Sequence, residues 1–258
     1  MPYLGSSPAA TALTADDIAD GAITTAKIND DAVTLAKMAS GTDGNIITYD
    51  ASGNPAAVTT GSSGQILTSA GAGSPPTFAS ASSAVELVST QSVSSVASVE
   101  FTGIDNTSDM WMVVLQGVNA ATDNTVMTMR TSNDTSSHSY DSGGSDYNWS
   151  MTGLYFGDDY SKYDTADGAL DFGADPNLIG NDADIGLSGR VYIHKPSDTA
   201  LDTGITYNCY QQNGANNFQN IIGGGHRVAN EAVTAVQFLF LSGNIDSGRF
   251  TMYKWNHS

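Results

Sequence analysis

The chain has 258 residues, carries a formal net charge of −18 and is only 14% charged, so almost every charge is acidic. Its nine basic residues are scattered along the sequence, which argues against nucleic-acid binding by phosphate neutralisation and against adhesion to anionic lipid. Three of the 27 acidic residues are glutamates (Glu86, Glu100 and Glu231) and the other 24 are aspartates, a balance that favours turns and strands over helices.

The opening Met1-Pro2-Tyr3-Leu4-Gly5 lacks a basic region followed by an apolar stretch, so no signal peptide is expected. No apolar run approaches a membrane span, and no membrane insertion is expected either. Two internal repeats follow. The first has a ten-residue period: Ala22-Ile23-Thr24-Thr25-Ala26-Lys27-Ile28 recurs as Ala32-Val33-Thr34-Leu35-Ala36-Lys37-Met38, with an approximate earlier copy at Asp16-Asp17-Ile18. The second has a twenty-residue period. Gly41, Gly44, Ile46, Ile47, Thr48, Gly53 and Pro55 return as Gly61, Gly64, Ile66, Leu67, Thr68, Gly73 and Pro75.

One such unit offers two or three apolar residues between turns, too little burial to offset the entropy of ordering it. A regular spacing of Ile and Leu is foreign to flexible linkers, so the units are expected to take their core from neighbouring copies. Parallel association of three identical chains solves the problem. Ile23, Ile28, Val33, Leu35, Met38, Ile46, Ile47, Ile66 and Leu67 would then face a common axis while the turns face water.

The opening segment, the two ten-residue units and the G-x-x-G-N/Q-I-I/L-T repeats resemble tail-fibre and related virion fibre proteins of bacteriophages, especially those of aquatic bacteria. The resemblance covers residues 1–83 and implies three parts. Residues 1–15, with Pro2, Tyr3 and Leu4, would anchor to other virion proteins of the tail or capsid. Residues 16–83 would form a repetitive, elongated homotrimeric stalk, and residues 84–258 a tip that contacts the host. It also implies assembly in the host cytoplasm and residence in the virion. The tip matches no recognisable motif, so adsorption to a surface glycan or outer-membrane protein is carried over by position. The alternative use of the same parts is a capsid head fibre or decoration protein without specific receptor binding.

From Ala84 the texture changes. Strands are expected at Val85-Glu86-Leu87-Val88, Ser98-Val99-Glu100-Phe101, residues 110–115, 125–130, 188–194, 205–211 and 232–241. A last run, Phe250-Thr251-Met252-Tyr253-Lys254-Trp255, reads as a closing hairpin after the turn at residues 243–248. Short strands without an amphipathic helix predict an all-β chain whose C-terminal part is a β-sandwich, jelly-roll-like in connectivity.

The segment 132–184 reads as a long Asp/Gly/Ser-rich loop region carrying many aromatics. Tyr147, Trp149, Tyr155, Tyr160 and Tyr163 offer faces that stack on sugar rings, with Asp158 and Asp159 beside them as hydrogen-bond acceptors. Equally, the aromatics would pack the domain or a trimer interface. The sequence leaves both readings standing.

Other chemistries fare worse. Pairs such as Asp158-Asp159 arise by chance among so many aspartates, and no nucleophile elbow or zinc spacing is present. Gly223-Gly224-Gly225 lacks the Lys-Ser or Lys-Thr of a phosphate loop. No catalysis, cofactor or metal is expected. The lone Cys209, in a strand-like run, reads as a buried structural thiol.

Overall fold

A computed structural model describes residues 14–29, 32–33, 40–81, 83–155, 158–173, 178–181, 186–214 and 217–255. The chain divides into two units, residues 1–81 and 82–258.

In the first unit the ten-residue repeat is a conformational repeat. Thr14 and Thr24 each precede a three-residue 3-10 turn, Ala15–Asp17 and Thr25–Lys27, and each turn ends on an extended isoleucine, Ile18 or Ile28. The backbone angles of the two threonines agree within a few degrees, φ −94° and ψ 171° against φ −92° and ψ 167°. The approximate copy at Asp16-Asp17-Ile18 is therefore structurally a full one. The unit is not built of strands alone, because residues in this part close locally. The amides of Asp17 and Ile18 donate to Thr14 and Ala15 as those of Lys27 and Ile28 donate to Thr24 and Thr25. Leu35 and Met38 of the third copy lie outside the described residues, as do Pro2, Tyr3 and Leu4.

The twenty-residue repeat makes two hairpins. Strand β1 (Ile46–Tyr49) pairs antiparallel with β2 (Pro55–Val58), and β3 (Gln65–Thr68) with β4 (Thr77–Ser80). Gly44 and Gly64 take φ of 81° and 86°, and Gly53 and Gly73 take 79° and 80°. Glycine returns at these offsets because each hairpin needs the left-handed region at the same two places. A two-stranded hairpin is at best marginally stable in water. Ile23, Ile28, Val33, Ile46, Ile47, Ile66 and Leu67 are all exposed, Ile47 to 61% and Val33 to 60%.

The second unit holds twelve further strands: β5 (Val85–Val96), β6 (Ser98–Thr102), β7 (Met110–Ala120), β8 (Met127–Ser132), β9 (Tyr147–Tyr155), β10 (Asp158–Asp167), β11 (Leu170–Asp171), β12 (Leu187–His194), β13 (Gly204–Gln212), β14 (Phe218–Arg227), β15 (Ala235–Phe240) and β16 (Ile245–Trp255). An eight-stranded sheet runs β10-β9-β14-β13-β12-β7-β16-β5, and a four-stranded sheet runs β11-β8-β15-β6. Every strand pairing among the described residues of this unit is antiparallel. One apolar cluster draws on both sheets, so they form a sandwich. Phe238 of β15 meets Phe250 of β16 at 5.8 Å between ring centroids. Phe172 lies 6.1 Å from Phe238 and 4.7 Å edge-on from Tyr207 of β13, tying the layers a second time.

Two sequence expectations are corrected. The middle of segment 132–184 is the β9–β10 hairpin, whose strands hide among Asp, Gly and Ser because they alternate polar residues outward. The final run is no hairpin either. Strand β15 lies in the small sheet while β16 crosses to the large one, between β5 and β7. Gly223-Gly224-Gly225 sits inside β14 rather than in a loop. A Cβ on Gly223 would meet the Tyr207 hydroxyl at 2.3 Å, and one on Gly225 the Asn148 carbonyl oxygen at 2.3 Å. These glycines make room for a neighbour's side chain and backbone.

Candidate ligand-binding face

The alternation of β9 decides where its aromatics go. Tyr147, Trp149, Met151 and Gly153 point into the sandwich, while Ser150, Thr152 and Leu154 face outward. Tyr147 is completely buried. Its hydroxyl accepts from the Thr131 amide at 2.7 Å and lies 3.1 Å from the Thr131 hydroxyl, and burial holds its pKa above the ordinary phenol value. Trp149 is buried with its indole N–H donating to the Asp167 carboxylate at 3.0 Å. Tyr160 on β10 pairs with Gly153 and packs against the core, and burial pushes its hydroxyl up to about 12.

Of the predicted tip residues, Tyr147 and Trp149 are buried in the core and Tyr160 is half-buried against it. Asp159 and Tyr163 stay on the surface, Tyr163 exposed to 77%. They pair with Leu154 and Ser150, which puts both on the outward face of the large sheet. Tyr155 and Asp158 close the hairpin, and their side chains lie outside the described residues.

That outward face continues across the sheet. Pairing carries one row from Asp159 through Leu154, Asn220 and Tyr210 to Ser188. The next row runs from Ser161 through Thr152, Ile222, Asn208 and Arg190 to Val114. Leu154, Phe218, Ile222 and Tyr210 are exposed on it, and the Tyr210 and Phe218 rings stack at 5.7 Å. Exposed aromatic and aliphatic groups collected on one face mark a place of contact with something else.

Within this face lies an open depression of about 930 Å³, bordered by Gln116, Ser188, Arg190, Tyr192, Asn208 and Tyr210. Strand β7 is bulged beside it. The β7–β12 register shifts between Leu187 and Gly189, opposite Gln116-Gly117, and the β7–β16 register shifts between Ser247 and Arg249, opposite Gly117-Val118. Gly117 takes φ 56° there, and its amide donates to the Ser188 hydroxyl at 2.8 Å. Bulges of this kind bend a strand and re-aim side chains beside a site.

Sequence reading missed Arg190, Tyr192, Asn208 and Tyr210, although both strands were expected. The signal was available: in residues 204–212, Ile205, Tyr207, Cys209 and Gln211 are buried, so the interleaved Thr206, Asn208 and Tyr210 had to face out. Among the described residues no group of three or more His, Cys, Asp or Glu side chains is placed to hold a metal ion. Searches of protein-family models, of curated proteins and of solved structures find no match to this chain.

Proposed function

We propose that this chain is a structural virion fibre of the phage tail-fibre kind, a homotrimer anchored to other virion proteins through its N-terminal segment and adsorbing to the host surface through its C-terminal unit. The observation that carries the reading is the first unit. Its 3-10 turns and hairpins repeat faithfully, yet leave a regular series of Ile, Val and Leu side chains exposed. A single chain has no means of burying them. Three parallel copies do, which supports a trimeric stalk.

The second unit suits a tip. Leaving aside the added pairs β9–β10 and β13–β14, four strands (β5-β16-β7-β12) face four others (β6-β15-β8-β11). That four-on-four order supports a jelly-roll reading of the sandwich. The added strands widen the large sheet and carry the exposed Leu154, Ile222, Tyr210 and Phe218. Three such faces on one stalk turn weak single contacts into avid attachment.

Sedimentation equilibrium of the full chain tests the assembly, with three times the chain mass expected; a monomer overturns the stalk. Competition tests the tip. Added full-length protein should block adsorption of particles that carry it. Particle binding without blocked adsorption would assign the chain to a head fibre or decoration role instead.

A further inference from the structure

Two basic residues that stand far apart in sequence share one face of the fold. Arg130, Arg190, Arg227 and Arg249 are the chain's only arginines. Of these, Arg190 and Arg249 lie on the outward face of the large sheet, Arg190 lining the depression at Gln116-Gly117 and Arg249 on the strand beyond Gln116. Register places Arg190 beside Val114 on β7, and Arg249 beside Gln116 two residues further along the same strand. Arg190 is exposed, and no described carboxylate lies within ion-pair distance of it. Arg249 donates through Nε to the Gln116 side-chain oxygen at 2.9 Å, which fixes a wall of the depression and leaves its two terminal nitrogens without a described partner.

Lining the depression with Arg190 are Tyr192, Tyr210, Asn208 and Ser188. The combination is specific in chemistry. A planar guanidinium matches a carboxylate with two parallel hydrogen bonds. Tyrosine rings pack against the C–H face of a pyranose, and amides and hydroxyls pair with its hydroxyl groups. A depression of about 930 Å³ has room for two or three sugar rings, at the upper end of ordinary ligand sites. A chain of net charge −18 repels polyanions in general, so an anion is held only where a local positive charge offsets that field.

The geometry points to this depression as a binding site for a carboxylate-bearing saccharide, with Arg190 on the carboxylate and Tyr192 and Tyr210 against the ring. It rests on the reading of the second unit as a host-adsorbing tip, and it names the class of surface sugar such a tip takes: a uronic or similar acidic residue.

Calorimetric titration of the full chain with trigalacturonic acid and with a neutral galactose trisaccharide tests it. The acidic sugar should bind saturably and at least about tenfold more tightly than the neutral one, as a charged hydrogen-bond pair implies. Arg190→Gln should abolish that preference while leaving the melting temperature unchanged, since the side chain is exposed. Tyr210→Ala should weaken both sugars. Raising the salt concentration should weaken only the acidic one. Absence of saturable acidic binding, equal binding of the two sugars, or an undiminished preference in Arg190→Gln each overturns the site. The adsorption competition separates the two claims. Protein that blocks adsorption yet ignores the acidic sugar keeps the tip and loses this site. Protein that binds the acidic sugar yet blocks nothing keeps the site and loses the tip.

Discussion

The ring of Tyr160 lies across Gly153 on the neighbouring strand, so close that a Cβ at position 153 would sit 2.2 Å from it. The glycine is thus a socket for the ring, and the pair fastens the edge strand β10 to the core through β9. Gly153→Ala should displace the ring and cost about 1–3 kcal/mol, as overpacking does. In a double-mutant cycle with Tyr160→Ala, the two losses should not add, because once the ring is gone the extra methyl has space. Chemical denaturation of the four proteins measures this; additive losses would show that the two residues do not share a space.

Arg227 is a buried cation that holds a loop. Its guanidinium pairs with Asp141 at 2.7 Å and with Glu231 at 3.1 Å, the arginine side chain being only 8% exposed. Both partners keep the guanidinium charged against the cost of burial. Glu231 also accepts from the Asn133 amide, so the group joins the segment after β8 to the segment after β14. Arg227→Ala leaves the part-buried Asp141 and the exposed Glu231 without their cation and should cost about 1–3 kcal/mol. Limited proteolysis should then cut first within residues 133–146. An unchanged melting temperature together with an unchanged cleavage pattern would sink the assignment.

Cys209 is buried in β13, and burial pushes its thiol up to about 12. A thiol that far above neutral is almost wholly protonated near pH 8 and unreactive. Native protein should therefore resist a chromogenic disulfide reagent, and should react with one equivalent per chain once unfolded in guanidinium. Rapid labelling of native protein would place the thiol at the surface.

The residues show why some of this was readable and some was not. Strand β7 opens on an unbroken apolar run, Met110 to Leu115, and β12 and β13 alternate apolar and polar residues, so their positions follow from the sequence. Strands β9, β10 and β14 are obscured instead by their Asp, Gly, Ser and Asn content. Their inward positions include Gly153, and glycines also fill β14, because side chains from adjacent strands occupy the space above them. Composition then looks like a loop. The aromatics of β9 left both readings open for the same reason, although Tyr147, Trp149 and Met151 stand two apart with polar residues between, which is the spacing of a strand with one buried face. That Arg190 and Arg249 share one sheet face was beyond reach of any linear reading, since it follows only from the pairing of β12 and β16 with β7. In the first unit the reverse held. Its repeats announced themselves as sequence periods, and the conformations repeat at those periods.

Asp171 gives the sandwich a pH dependence of defined sign. It lies in β11 at the margin of the core, and burial first, then the nearby Asp167 and Asp164, raises its carboxyl to about 7. The Tyr207 hydroxyl does not relieve it, for it donates to the Asp171 backbone carbonyl oxygen at 2.8 Å. In the unfolded chain the same group titrates near the ordinary aspartate value of about 4. Below about pH 4 it is protonated in both states and costs nothing. Between about pH 4 and 7 the unfolded chain sheds the proton that the folded chain keeps, so its contribution to stability falls as the pH rises, and the loss is complete above about pH 7. Asp171→Asn keeps the shape and removes the titration. The variant should match the parent protein near pH 4 and exceed it in urea midpoint near pH 8. A variant equally less stable at both pH values would mean that the Asp171 carboxylate is stabilised by its surroundings rather than penalised by them.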